Sequence, residues 1–228
     1  VRLRWRPPQA SSLCPLSSFR QLEPAYPLLP LAVNNMTRNE EIILRATELF
    51  HRHGFIATSI EDIADAVGIK REGIYYYFKD KSDILYAVIK PTSDALLRGL
   101  KRVVALPFSA EERLYLAVEN HLDQFTSNHR QMEIIFRAVY AKERGNRSAP
   151  LAKTWSAYGD LWAELIRSGI AAGEFAANLD PGLVSRAMLG SCNTFSTWYD
   201  PDGEITLTEF ARTYFSLFAY GLFERQKH

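Results

Sequence analysis

One stretch, Thr58 to Lys81 (TSIEDIADAVGIKREGIYYYFKDK), leaves this chain few folds to choose from. Ser59 is an N-cap residue and Asp62 lies three positions on, a variant of the capping box. Ile60, Ile63, Ala64 and Val67 then recur at i, i+3, i+4 and i+7, so a short helix must bury one stripe. Gly68 takes a left-handed, helix-ending conformation at little steric cost. A second short helix is expected from about Lys70 to Phe78, with Ile74 and Phe78 on its inward face. Glu72, Gly73 and Tyr76 lie opposite. Arg71 with Tyr75, and Lys70 with Tyr77, occupy the flanks.

Two helices around one glycine turn, the second showing aromatics and a guanidinium outward, suit a helix-turn-helix that reads a DNA major groove. Arginine pairs with guanine edges, a tyrosine ring packs on thymine methyls or bonds phosphate, and glycine admits a close backbone. The expected DNA contacts are Thr58, Lys70, Arg71, Glu72, Gly73, Tyr75, Tyr76, Tyr77, Lys79 and Lys81. Thr58 and the amides beside it stand at a helix start suited to phosphate, and the two lysines follow the reading helix directly. The bland alternative is a helical hairpin with a half-buried tyrosine cluster.

The run IADAVGIKREGIYYYFKDKSDIL, Ile63 to Leu85, resembles the N-terminal signature of the TetR family of bacterial transcriptional repressors. The likeness covers about Thr37 to Lys90. It implies an all-α fold: a three-helix DNA-binding head, then a helical-bundle body for ligand binding and dimerisation. Lys70 stands where family members commonly carry Ser or Thr, so the reading helix lacks the usual capping side chain.

The rest of the chain reads as helices. Thr37 with Glu40 opens the first, whose stripe is Ile42, Ile43, Ala46, Leu49 and Phe50. His51 and His53 at its end have no partners at metal-ligand spacing and read as solvated or helix-end residues. A helix from near Ser82 contains Pro91, where a kink or break is expected. Ser109 with Glu112, Asp180 before Pro181, and Thr206 with Glu209 mark three later helix starts, and Gly173 marks a stop. The expected boundaries are 36–90 for the head and 91–228 for the body.

Val1 to Asn35 are different in kind. They hold six of the eleven prolines and no apolar periodicity. A disordered extension, or one translated from upstream of the true start, is the expectation for 1–35. Met36 directly precedes the helical pattern, where chains of this family usually begin.

Composition constrains the partners. The formal net charge is +1, so no general affinity for polyanions follows, and DNA binding must rest on local placement of Lys and Arg. Cys14 and Cys192 are far apart and fit no ligand spacing, which points to a reducing cytoplasm. No apolar run approaches the ~20 residues of a membrane span. No metal or cofactor is expected.

The body is rich in aromatics. Phe136, Arg137, Tyr140, Tyr158, Trp162, Asn193 and Phe195 are the candidate ligand contacts, apolar walls with a few polar groups to orient the guest. The segment LWAELIRSGIAAGEF and the WYDPDG turn resemble a TetR branch that regulates fatty-acid or sterol catabolism, which implies acyl-CoA effectors. In that family the last two helices commonly form a four-helix interface with their twins, here Pro181–Trp198 and Leu207–Phe223. The function expected is a dimeric repressor on double-stranded operator DNA, released by a small apolar ligand. The rivals are a helical carrier or adaptor, and a helical enzyme. The chain has no HExxH pair and no Gly-rich phosphate loop, and Cys192 has no evident base.

Overall fold

The computed structural model describes residues 36–140, 149–195, 199 and 203–222. Residues 1–35 and most of the Trp198 to Gly203 turn lie outside them. The described residues form helices α1 (Arg38–His53), α2 (Ile60–Val67), α3 (Arg71–Tyr77), α4 (Lys81–Val104), α5 (Ala110–Ser127), α6 (His129–Tyr140), α7 (Ala149–Ala171), α8 (Pro181–Thr194) and α9 (Leu207–Leu222). The fold class is therefore all-α, as the periodicity and the resemblance imply.

Local chemistry sets the helix starts. The capping boxes of Thr37 with Glu40, Ser59 with Asp62, and Ser109 with Glu112 all close reciprocally. Thr206 and Glu209 exchange the same pair of bonds ahead of α9. Such a cap satisfies two backbone donors that a helix start otherwise leaves open. Accepting from the Ser59 N–H and hydroxyl also holds the Asp62 carboxyl below the usual range. Gly68 ends α2 at φ 71 and ψ 35, and Ile69 N–H donates back to the Ala64 carbonyl. Asp180 caps α8 with Pro181 in the first turn. The α-helix of α8 ends at Thr194 with its C-cap at Phe195, and the expected end at Trp198 lies outside the described residues.

Buried Ile42, Ala46, Phe50, Ile63, Ala64, Val67, Ile74 and Phe78 join α1, α2 and α3 in one core. Ile84, Leu85, Val88 and Ile89 continue it into α4. No break occurs at Pro91. α4 runs through it as a single helix of 24 residues, so the expected division at 90 and 91 falls inside one element. Pro91 lies on the exposed side, where water can serve the Ala87 carbonyl that proline leaves without a donor. α4 goes on to pack against α5, α6 and α7, and α6 also packs against α1. The α1–α6 contact includes His51, whose Nε2 lies 2.6 Å from Glu133 Oε2. His51 is thus a helix-end residue in the last turn of α1, half-buried against α6.

Candidate DNA interface and effector core

α3 is seven residues long and is held from below by Ile74 and by Phe78 at its C-cap. Lys70, at the cap position, makes no side-chain cap bond, in keeping with the missing Ser or Thr. The outward face is aromatic. Tyr76 is 83% exposed, Tyr75 45% and Tyr77 38%. Large apolar side chains usually leave water, so three tyrosines presented together mark an interaction surface. Tyr76 and Tyr77 meet edge to face, centroids 4.9 Å apart. Lys70, Glu72 and Lys79 are exposed beside them.

Arg71 is pre-positioned on this face. Its guanidinium donates to the Tyr75 hydroxyl at 3.2 Å and lies 3.3 Å from Glu61 at the start of α2. Both charged partners are half exposed or more, so the pair adds little stability. What it does is hold a flexible side chain in one orientation, which lowers the ordering cost of a later contact. Glu61 was not legible as part of this site, because its contact with Arg71 crosses the turn. A Cβ at Gly73 would come within 3.3 Å of Ile69 Cδ1, so this glycine also serves the close fit of turn and helix.

Two expected phosphate contacts are corrected by their surroundings. Thr58 is 1% exposed, and its hydroxyl donates to the Gly54 carbonyl at 2.8 Å. It ties the loop after α1 and does not face solvent. Lys81 turns back beneath the loop. Its Nζ donates to the carbonyls of Phe55, Ile56 and Thr58 at 2.8, 3.2 and 2.6 Å and sits 4.5 Å from the centre of the Phe55 ring. An ammonium gathering three carbonyls is a clamp on the chain that leads into α2.

Tyr76→Ala is expected to weaken operator affinity by about 1–3 kcal/mol, roughly ten- to a hundredfold, with the melting temperature unchanged. The side chain is 83% exposed and touches only the surface ring of Tyr77 among the described aromatics, so the core loses no packing. Fluorescence anisotropy with labelled operator reads the effect. Equal affinities for variant and parent would remove this face from the DNA contact.

In the body, α5, α7 and α8 bury a polar cluster among aromatics. His121, Tyr158 and Trp162 are 0%, 2% and 0% exposed, and Asn193 is 2%. His121 Nδ1 lies 2.9 Å from the Tyr158 hydroxyl, and Nε2 lies 3.1 Å from Asn193 Oδ1. Tyr158 and Trp162 meet as expected from their one-turn spacing, centroids 6.4 Å apart. Burial pushes the His121 pKa down to about 4, against a smaller upward pull from Asn193, so the ring is neutral near pH 7. His121 is absent from the ligand contacts expected from sequence. The available signal was its place on the α5 stripe, seven residues after Leu114 and four after Ala117.

The other candidates divide. Phe195 is buried but stacks on Tyr199 and lies against Phe210, centroids 4.2 and 4.3 Å away, on the side toward α9. The side chains of Phe136, Arg137 and Tyr140 fall outside the described residues. Cys192 is buried, and desolvation pushes its thiol up to about 12, which makes it unreactive at neutral pH. Among the described residues no helix is long and apolar enough to cross a membrane.

Comparison with known proteins adds to this geometry. Residues 42–88 match the family model described as bacterial regulatory proteins, tetR family. Residues 107–222 match the tetracyclin repressor-like C-terminal domain. The chain is 25% identical to the HTH-type transcriptional repressor KstR2 of Rhodococcus jostii over 185 residues, 81% of this chain and 91% of that protein. Its fold is similar to the ketosteroid transcriptional regulator KstR2 of Mycobacterium tuberculosis, with TM-score 0.71 at 22% identity, covering 84% of this chain and 97% of that one. It is also similar to AibR solved with isovaleryl coenzyme A and operator DNA, with TM-score 0.64 at 21% identity, covering 82% and 98%.

Proposed function

The chain belongs to the TetR family of bacterial regulatory proteins, and from that membership we propose that it represses transcription as a homodimer on a palindromic operator and is released by an acyl-CoA thioester. Family membership makes it a DNA-binding transcriptional regulator. The observation that carries the proposed DNA contact is the outward face of α3, where Tyr75, Tyr76 and Tyr77 stand in solvent beside an oriented Arg71. Lys70, Glu72, Gly73 and Lys79 complete the proposed surface. The tyrosines and arginine read bases, and the lysines meet phosphates.

Two copies suit a palindromic operator. One seven-residue helix spans only a few base pairs, and a two-fold dimer sets two such helices on matching half-sites. The proposed dimer face is α8 with α9. Leu183 and Leu217, 63% and 69% exposed, are large apolar side chains uncovered there. Ala187 and Gly190 are exposed on α8 and small, so a partner helix can come close.

Support for the effector class comes from the AibR structure, whose bound molecule is isovaleryl coenzyme A. An acyl chain buried among the body's aromatics gains about 0.8 kcal/mol per methylene, so about ten methylenes supply the roughly 8 kcal/mol of micromolar binding. Release follows only from different affinities for the DNA-bound and free forms, and a tenfold loss of DNA affinity needs about 1.4 kcal/mol of that difference. α4 and α6 are the elements that would carry it, since α4 belongs to both cores and α6 touches α1.

Acyl-CoAs of increasing chain length are titrated into the complex of the full chain with its own upstream DNA, followed by anisotropy. Release at micromolar concentration is expected for medium or long chains. Specific DNA binding that no acyl-CoA disturbs would leave the regulator and remove the effector class.

A further inference from the structure

The core shared by α5, α7 and α8 leaves buried hydrogen-bond donors without a partner among the described residues, and two of them belong to side chains that touch His121. A neutral imidazole has one donor and one acceptor, and both nitrogens of His121 are engaged. With Nε2–H donating to Asn193 Oδ1, Nδ1 accepts from the Tyr158 hydroxyl. Asn193 then keeps both amide hydrogens. Rotating the amide by half a turn reverses the direction of the chain, and one of its N–H bonds still lacks an acceptor. Trp162 adds a second surplus donor, since its ring lies 6.3 Å from His121 and indole nitrogen only donates. Asn193 Nδ2 and Trp162 Nε1 are among the buried side-chain donors that have no partner in the described residues, as is Trp155 Nε1, whose ring lies 5.7 Å from that of Tyr158. A buried donor left unmet is destabilising, so a native core seldom keeps two together unless something else meets them.

We propose that Trp162 Nε1 and Asn193 Nδ2 form the polar anchor of the effector site, and that they bind a carbonyl oxygen of the ketone or thioester class. This rests on the body being the effector-sensing part of the protein. A carbonyl oxygen accepts two hydrogen bonds and brings no donor of its own. A hydroxyl would bring a further hydrogen that needs an acceptor of its own. A carboxylate would be a buried charge facing a neutral imidazole, with no cation among the described residues of this cluster to pair it. In an acyl-CoA the group is the thioester C=O, and the acyl chain would lie along the Trp162 and Tyr158 rings.

The test compares molecules that differ only at that oxygen. One pair is decanoyl-CoA and S-decyl-CoA, a thioether without the carbonyl. The other is 2-octanone and 2-methyl-1-octene, in which C=CH2 replaces C=O. Binding to the full chain is measured by calorimetry, and indole N–H resonances are followed in protein labelled with 15N-tryptophan, the Trp162→Phe spectrum giving the assignment. The carbonyl member of a pair is expected to bind about tenfold more tightly and to shift the Trp162 indole proton downfield. Trp162→Phe and Asn193→Ala should each remove most of that preference. If the ketone pair discriminates while neither CoA compound binds, the anchor stands and the acyl-CoA effector does not. If decanoyl-CoA binds no better than its thioether and the Trp162 resonance does not move, the anchor is wrong and the acyl-CoA effector survives. A resident water meeting both donors would give that second result. Failure of all four compounds to bind would also overturn the anchor.

Discussion

Lys81→Ala is expected to lower stability by about 2–3 kcal/mol, several times what removal of an exposed lysine would do. The ammonium donates to three backbone carbonyls between α1 and α2, at 2.6 to 3.2 Å. The bonds to Phe55 and Thr58 are partly buried, so water replaces them poorly once the ammonium is gone. Hydrogen bonds from a charged donor contribute about 1.5–3 kcal/mol when buried, less where water competes, and the Ile56 carbonyl lies in the exposed part of the loop. The lysine stem also covers the Phe55 ring, so part of the loss is packing. Lys81→Met keeps the stem and removes the charge, and it should retain only that packing part. The melting temperature of Lys81→Ala should fall by roughly 5–10 °C. Operator affinity should fall with it, because the loop sets the start of α2 and through it the angle of α3. A phosphate-binding lysine behaves differently: its loss leaves the fold alone and flattens the salt dependence of DNA binding by about one unit. Unchanged stability with a flattened salt slope would return Lys81 to the DNA surface.

His121 should make the body sensitive to acid. Its pKa is pushed from 6.5 down to about 4 by burial, so between those values the unfolded chain binds a proton that the folded chain refuses. The stability it contributes is therefore fully present above pH 6.5 and is lost as pH falls through about 4. A depression of about 2.5 units corresponds to about 3 kcal/mol, since each unit is worth 1.36 kcal/mol. Urea unfolding at pH 7.5 and pH 4.5, on the parent and on His121→Gln, isolates this part. The capping carboxylates Glu40, Asp62 and Glu209, all held below their ordinary range, also lose stabilisation in acid. They are common to both proteins and cancel in the comparison. The parent should lose about 2–3 kcal/mol more than the variant between the two pH values. Equal losses would mean that His121 is protonated as readily inside the fold as outside it.

Features decided within one turn of chain are legible in the order of residues alone. The capping pairs at Thr37, Ser59, Ser109 and Thr206, the left-handed Gly68 and the stripes of α1 and α2 depend on contacts three to five residues apart, which spacing states directly. The exposed tyrosines follow in the same way, because 100° per residue places Tyr76 opposite Ile74 and Tyr75 and Tyr77 on the flanks. Leu217 shows the limit of that rule. It belongs to the apolar pattern of α9, yet it is 69% exposed, because periodicity marks an apolar side chain and not what covers it.

Contacts across the fold were decided by tertiary structure alone. Lys81 and Lys79 are alike as sequence, but only Lys81 lies beneath three carbonyls more than twenty residues earlier. Glu174 accepts the first amides of α5, Ala110 N–H and Glu111 N–H at 2.8 and 3.2 Å, from over sixty residues away. Arg71 finds Glu61 across the turn, and His121 finds Tyr158 and Asn193 on two other helices. Sequence by itself determined the helices, the helix-turn-helix and the face that α3 turns outward, because each is written in residues that touch along one helix. Which lysine clamps a loop and which histidine loses its charge were settled only by packing, because burial and a distant partner set the energy of a polar group, and neither is a property of its neighbours in the chain.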